Sequence, residues 1–198
     1  MDNPGEPPIF LGPFFIHDNS DVESYSIFFN HLRVKLISTA TSNLVIGSDE
    51  EYTLVSSIQT SFPEASHIHC MQHLRLNIKH KLTDECIDKP DRETILKDIF
   101  GDDGLMDVDD SICFDVKSEA IEEKCKAISS KCQKYIEKKI KNILKDQWKA
   151  EVPNGYFNKN WTNNSESLNR VLKQAIDWQS KPLLDLVNTL TVIIDAQF

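Results

Sequence analysis

Apolar and polar positions change rhythm several times in the first part of the chain, and each change marks an element. "PPIFLGPFFIH" (7–17) is mostly apolar and reads as a strand. Gly12-Pro13 would bend or bulge it, because proline has no N–H to give a central ladder. Tyr25, Phe28, Phe29, Leu32 and Leu36 then repeat at helical spacing. "DNSDVESYSIFFNHLRVKLIST" is therefore expected to be a helix, capped by Asn19, Ser20 or Asp21. "NLVIGS" (43–48) reads as a short buried strand. "EEYTLVSSIQTSF" reads as a helix ended by Pro63. "SHIHC" (66–70) alternates like a strand, and "MQHLRLNIKHKL" is a helix with Leu74, Ile78 and Leu82 four apart.

Strands and helices taking turns imply an α/β sheet with crossover connections. After residue 82 the rhythm stops. Residues 83–119 are acidic and irregular, with one helix expected at "DRETILKDIF". A long helical pattern follows over 118–149, then a loop at "VPNGYFNKNW". Two helices, "NNSESLNRVLKQAIDW" and "KPLLDLVNTLTVIIDA", close the chain. The expected organisation is a small sheet of about three strands over 1–82, an insertion of acidic loop and basic helix over 83–152, and C-terminal helices over 153–198 that complete the core.

The 198 residues suit one domain with a moderate insertion. No apolar run approaches the roughly 20 residues of a membrane helix. The start, "MDNPGEPPIF", lacks the basic and apolar stretches of a secretory signal. These features point to a soluble, intracellular protein, nuclear or cytoplasmic, with no membrane partner. Five irregularly spaced cysteines argue against a disulfide framework.

Net charge is −9, which on average disfavours nucleic acid, but the average hides a polarity. "DDGLMDVDD" carries five aspartates, whereas lysines dominate from Lys124 to Lys149. Two solvated surfaces that attract each other explain this simply. The alternative is a basic helix facing a phosphate backbone, with Lys134, Lys138, Lys141 and Lys145 as its contacts.

Three groups of residues carry candidate chemistry. "LVIGSDEE" ends an apolar strand with Asp49, Glu50 and Glu51. A carboxylate at the carboxyl end of a sheet strand can reach a ligand while the sheet holds its backbone. The same residues also suit a helix start, with Ser48 or Asp49 as cap and the glutamates at the positive end of the dipole. Glu166, Asn169 and Lys173 share one stripe of "WTNNSESLNRVLKQ" and could face a cleft. Glu166 could equally close a capping box with Asn163 or pair with Arg170. "HIHCMQH" gathers His67, His69, Cys70 and His73. Cys-x2-His is half of a zinc site, but no second half of matching spacing follows, so a buried cysteine beside a hydrogen-bonded histidine is the simpler reading.

Taken in order, these motifs resemble the Mutator-like (MULE) transposase family. The matching run is "IGSDEEYTLVSSIQTSFPEASHIHCMQHLRLNIKHKL", through Asp49, Glu51, Phe62, Pro63, Ala65, His67, Cys70, His73, Asn77 and Ile78. "TNNSESLNRVLK" is similar to the family's Asn-x-x-Glu-Ser helix, and "FLGPFFIHDNSDVESYSIFFNHL" to its Gly-Pro-x-x-x-His segment. The acidic "DIFGDDGLMDVDD" falls where relatives carry an acidic insertion.

The resemblance implies a partial RNase H-like core in which three carboxylates hold two Mg2+ (or Mn2+) ions for phosphodiester cleavage and strand transfer on DNA. Hard ions need oxygen ligands, and two of them about 4 Å apart flank the in-line path. By position Asp49 is then the second acid and Glu166 the third. Glu51, Cys70, His73 and Asn169 are expected as support beside the metals or beside DNA. Glu50 replaces a family glycine. DNA is the implied partner, and a homo-oligomer is compatible with the family.

One departure bears on activity. The family's first acid lies on a strand before the Gly-Pro-x-x-x-His segment, where this sequence has only "MDNPGEPPIFL". Asp2 has no apolar run around it and is no match. The expectation is a fragment or domesticated relative of a transposase that lacks the first catalytic acid, with a non-catalytic DNA- or protein-binding module as the alternative.

Overall fold

The computed structural model describes residues 12–36, 44–149, 170 and 172–196. They fall into two units, one of Asn19–Thr162 and one of Met1–Asp18 with Asn163–Phe198. The larger unit is mixed α/β and mainly helical.

Helix α1 (Val22–Leu36) starts where Asp21 Oδ1 accepts the Ser24 N–H at 2.8 Å, which selects Asp21 among the three candidate caps. Strand β1 (Val45–Ser48), helix α2 (Tyr52–Ser61) and strand β2 (Ser66–His69) form a βαβ unit. The two strands are parallel, in the register Val45–Ser66 to Ser48–His69. Helix α2 stops at Ser61, two residues before Pro63, with Phe62 as its C-cap. It packs on α1 through Phe29 and Phe62 (ring centroids 6.3 Å apart) and through Ser57 Oγ, which donates to Val22 O at 3.0 Å. Arg33 of α1 reaches Ser61 O at 2.5 Å and Glu64 at 3.0 Å.

Helix α3 (Met71–Asp84) buries Met71, Leu74, Ile78 and Leu82, the stripe set by its four-residue spacing. This stripe opens the main core. Helix α4 (Lys89–Phe100) adds Ile95, Leu96 and Ile99, and a single tight turn at Leu105–Asp107 adds Leu105 and Met106. Helices α5 (Ser111–Ile128) and α6 (Ser130–Lys139) add Phe114, Ile121, Cys125, Cys132 and Ile136. The five cysteines are unbridged, and burial pushes the Cys125 and Cys132 thiols up, so these two serve as small apolar core residues.

Three expectations need correction. The acidic stretch is not irregular, because its apolar residues bury while its aspartates stay outside. Asp110 caps α5 by accepting the Cys113 N–H at 2.8 Å. The helix expected over 118–149 begins earlier and breaks at Ser129. That residue is extended (φ −163°, ψ 147°), and its hydroxyl accepts the Cys132 N–H at 3.0 Å, starting a new helix. Beyond Lys139 the helix widens through Ile140–Leu144 before α7 (Lys145–Lys149). Finally, residues 12–17 of the expected first strand pair with no ladder, as Gly12-Pro13 would suggest, while 7–11 lie outside the described residues. The sheet among the described residues therefore has two strands rather than about three.

In the smaller unit, residues 172–175 are helical and α8 spans Leu183–Asp195.

The far edge of β2 is closed by a side chain. Gln147 of α7, 2% exposed, accepts the His69 N–H at 2.8 Å through Oε1 and donates to His69 O at 3.2 Å through Nε2. Its amide thus acts as one residue of a missing neighbouring strand. Gln147→Leu keeps the volume but leaves both His69 backbone groups without that partner, so urea unfolding should show a loss of about 1–3 kcal/mol.

Candidate metal centre at the strand ends

The parallel register decides what meets at the top of the sheet. Ser48 and His69 are the last paired residues, and the Cys70 N–H donates to Ser48 O at 2.9 Å, one step further. Asp49 and Cys70 therefore leave the two strands side by side. Cys70 is also the residue from which α3 starts, which brings His73 back over the same point in the first turn. Asp49 Oδ1 lies 2.9 Å from His73 Nδ1, and both atoms are shielded from solvent. One oxygen of Asp49, Cys70 Sγ and one His73 nitrogen all lie within 4.8 Å of one another. Cys70 is 1% exposed.

The other two acids of "SDEE" are occupied elsewhere. Glu50 forms an ion pair with Lys139 of α6 and accepts from Asn77 Nδ2 at 3.3 Å. The side chains of that pair are 13% and 18% exposed, so the pairing is largely out of water. Tyr135 stands beside it, and burial together with the Glu50 charge pushes its phenol up to about 12. Glu51 occupies the residue before α2 without capping it; its Oε1 accepts from Thr53 Oγ1 at 2.7 Å and from Tyr25 OH at 3.4 Å. Neither Ser48 nor Asp49 caps that helix. Ser48 is buried, and its hydroxyl donates to Asp49 O at 2.8 Å. His67 Nε2 lies 2.8 Å from the same hydroxyl oxygen, which is left to accept, so the Nε2–H tautomer fits best.

Glu166 and Asn169, the other site residues expected from the sequence, lie outside the described residues. Of the basic residues, Lys134, Lys138 and Lys141 line one open depression with Glu137 and Asn142. Lys141 pairs with Glu137 at 2.5 Å and Lys145 with Asp115 at 2.9 Å. Sequence reasoning missed Gln147 and Lys139 as partners of the strand-end residues. Both act across long chain separations, and no local signal marks them.

The donor chemistry around Asp49 can be compared with the magnesium pair implied by the resemblance. Magnesium requires oxygen ligands in near-octahedral array. Among the described residues, the donors next to Asp49 are a thiol and an imidazole, and the neighbouring glutamates are turned to Lys139 and to Thr53 and Tyr25. The described part of the set, without Glu166, is not the all-oxygen array that magnesium takes.

A parallel βαβ unit with a carboxylate at its strand ends, extended by a helical insertion, defines an α/β domain of the kind that carries sites at the top of its sheet. The family model for the transposases of the Mutator family matches residues 10–181, and the chain belongs to that family. Neither the curated proteins nor the solved structures returned a match. No helix among the described residues is long and apolar enough to cross a membrane.

The buried histidines make stability depend on pH. Burial first, then neighbouring His69, lowers His67 to about 4, and burial also lowers His69. The unfolded chain then binds protons that the folded chain refuses, so stability is full above about pH 6.5 and falls toward pH 4. Urea midpoints measured across that range should show this decline, and His67→Gln should flatten it.

Proposed function

We propose that this chain is a transposase-derived domain of RNase H-like ancestry that contacts DNA without cleaving it. The observation that carries the reading is the allocation of the strand-end acids. Asp49 faces His73 and Cys70, and Glu50 is held by Lys139. The family's chemistry uses divalent metals on carboxylates, and the described surroundings of Asp49 supply sulfur and nitrogen instead. Contact with phosphates falls to the basic helix. Lys134 and Lys138 make no ion pair among the described residues, whereas Lys141 and Lys145 already have acidic partners.

Two measurements test the proposal. No nicking or strand transfer is expected on supercoiled DNA with Mg2+ or Mn2+; robust activity that Asp49→Ala abolishes would overturn the reading. Duplex binding should weaken steeply with salt, and Lys134→Glu with Lys138→Glu should lower affinity and flatten the salt slope by about one unit per lost phosphate contact. Salt-independent binding, or none, would remove the DNA half of the reading.

A further inference from the structure

We propose that Asp49, Cys70 and His73 form a binding site for zinc or a similar borderline divalent ion. The inference does not depend on the DNA reading; it rests on what the strand ends bring together. Three donors arrive from three elements, the end of β1, the end of β2 and the first turn of α3, and the Cys70–Ser48 ladder bond fixes two of them side by side. Their ligand atoms lie within 4.8 Å of one another. Around a tetrahedral zinc, with bonds of about 2.0–2.3 Å, donors stand roughly 3.3–3.8 Å apart. Small side-chain rotations close the difference.

The surroundings favour an ion over a cysteine that merely fills space. A core thiol is normally packed among apolar groups, as Cys125 and Cys132 are. Cys70 is just as buried, yet it shares its pocket with a carboxylate oxygen and an imidazole nitrogen, both shielded from solvent. Charge balance is also right. A thiolate and a carboxylate neutralise a dication, and the next acid, Glu50, is drawn away by Lys139 and Asn77. Sulfur and nitrogen donors select a borderline ion against magnesium and calcium. The sequence showed half of this site in Cys-x2-His; the fold supplies Asp49 from the neighbouring strand. With three protein ligands among the described residues, a fourth position stays open to water or a further ligand.

Binding exchanges protons for the ion. The Cys70 thiol loses its proton to solvent, and His73 coordinates through Nδ1 with its remaining proton on Nε2. Affinity should therefore rise with pH.

The test uses the full 198-residue chain, reduced and stripped of metal, with Zn2+ measured by competition against a chromophoric chelator and Co2+ as a spectroscopic probe. The expected result is one ion per chain and a thiolate-to-cobalt charge-transfer band that excess Mg2+ does not remove. Asp49→Asn, His73→Gln and Cys70→Ser should each lower affinity roughly tenfold or more. Replacing the two exposed cysteines, Cys86 and Cys113, by serine should change nothing. Should Cys70→Ser fail to fold, the partly exposed Asp49→Asn variant and the cobalt band of the wild type decide. No zinc uptake, wild-type affinity in Asp49→Asn, or a cobalt band lost only with Cys86 and Cys113 overturns the proposal. No arm involves DNA, so its failure is separate from failure of the DNA-binding reading.

Discussion

The amide of Cys70 donates to the carbonyl of Ser48 at 2.9 Å, one step beyond the last register pair of a short parallel ladder. The placement of Asp49, Cys70 and His73 depends on that step. Side chains alternate along a strand, so a slip of one residue would carry Asp49 and Cys70 to opposite faces. The register is held from both edges of β2. Strand β1 pairs on one side, and Gln147 supplies a donor and an acceptor to His69 on the other. A two-stranded sheet is marginal by itself. Here it is anchored to α7, whose Trp148 donates to Val108 O at 2.8 Å and packs on Phe114 with ring centroids 4.9 Å apart. The helical insertion is therefore part of what holds the site.

Charge follows the same pattern of use inside the fold. The acidic and basic stretches that adjoin in sequence meet in space as Lys124 with Asp98 at 2.6 Å, Lys145 with Asp115 at 2.9 Å and Lys131 with Glu85 at 3.5 Å. Exposed pairs of this kind contribute about 0–1 kcal/mol each, so they do not explain stability. Their consequence is electrostatic: they cancel much of the positive field that the lysine-rich sequence suggests. Lys134 and Lys138 on α6 stand outside these pairs among the described residues.

The elements were legible where local pattern and tertiary burial agree. Leu74, Ile78 and Leu82 announced α3, Pro63 ended α2, and the short apolar runs before Asp49 and Cys70 gave β1 and β2. Legibility failed where a single polar group changes the path. Ser129 sits inside a continuous helical pattern, yet its hydroxyl starts a new helix. The aspartates of 102–110 look like loop, yet the apolar residues between them reach the core. At the site, Cys-x2-His was visible, but Asp49, Glu50 and Glu51 are chemically alike in sequence. Only Lys139, far along the chain, and His73 across the strand end distinguish their roles. Glu166 and Asn169 lie outside the described residues.

The fate of Glu50 bears most directly on the chemistry open to Asp49. The family pattern places glycine there, which would leave the strand end with one carboxylate before Glu51 and an open approach. A glutamate in its place brings a second negative charge, and the ion pair with Lys139 is what makes that charge tolerable in a largely buried position. Removing one partner of such a pair strands the other out of water, which costs far more than the pair contributes. Glu50 is therefore not available to swing toward an ion at Asp49, and Lys139 is not available to a phosphate. Among the described residues, the groups placed beside Asp49 by the ladder and the first turn of α3 are a thiol and an imidazole. Among the described residues, the lysine that answers Glu50 thus leaves Asp49 beside a sulfur and a nitrogen donor rather than a second carboxylate.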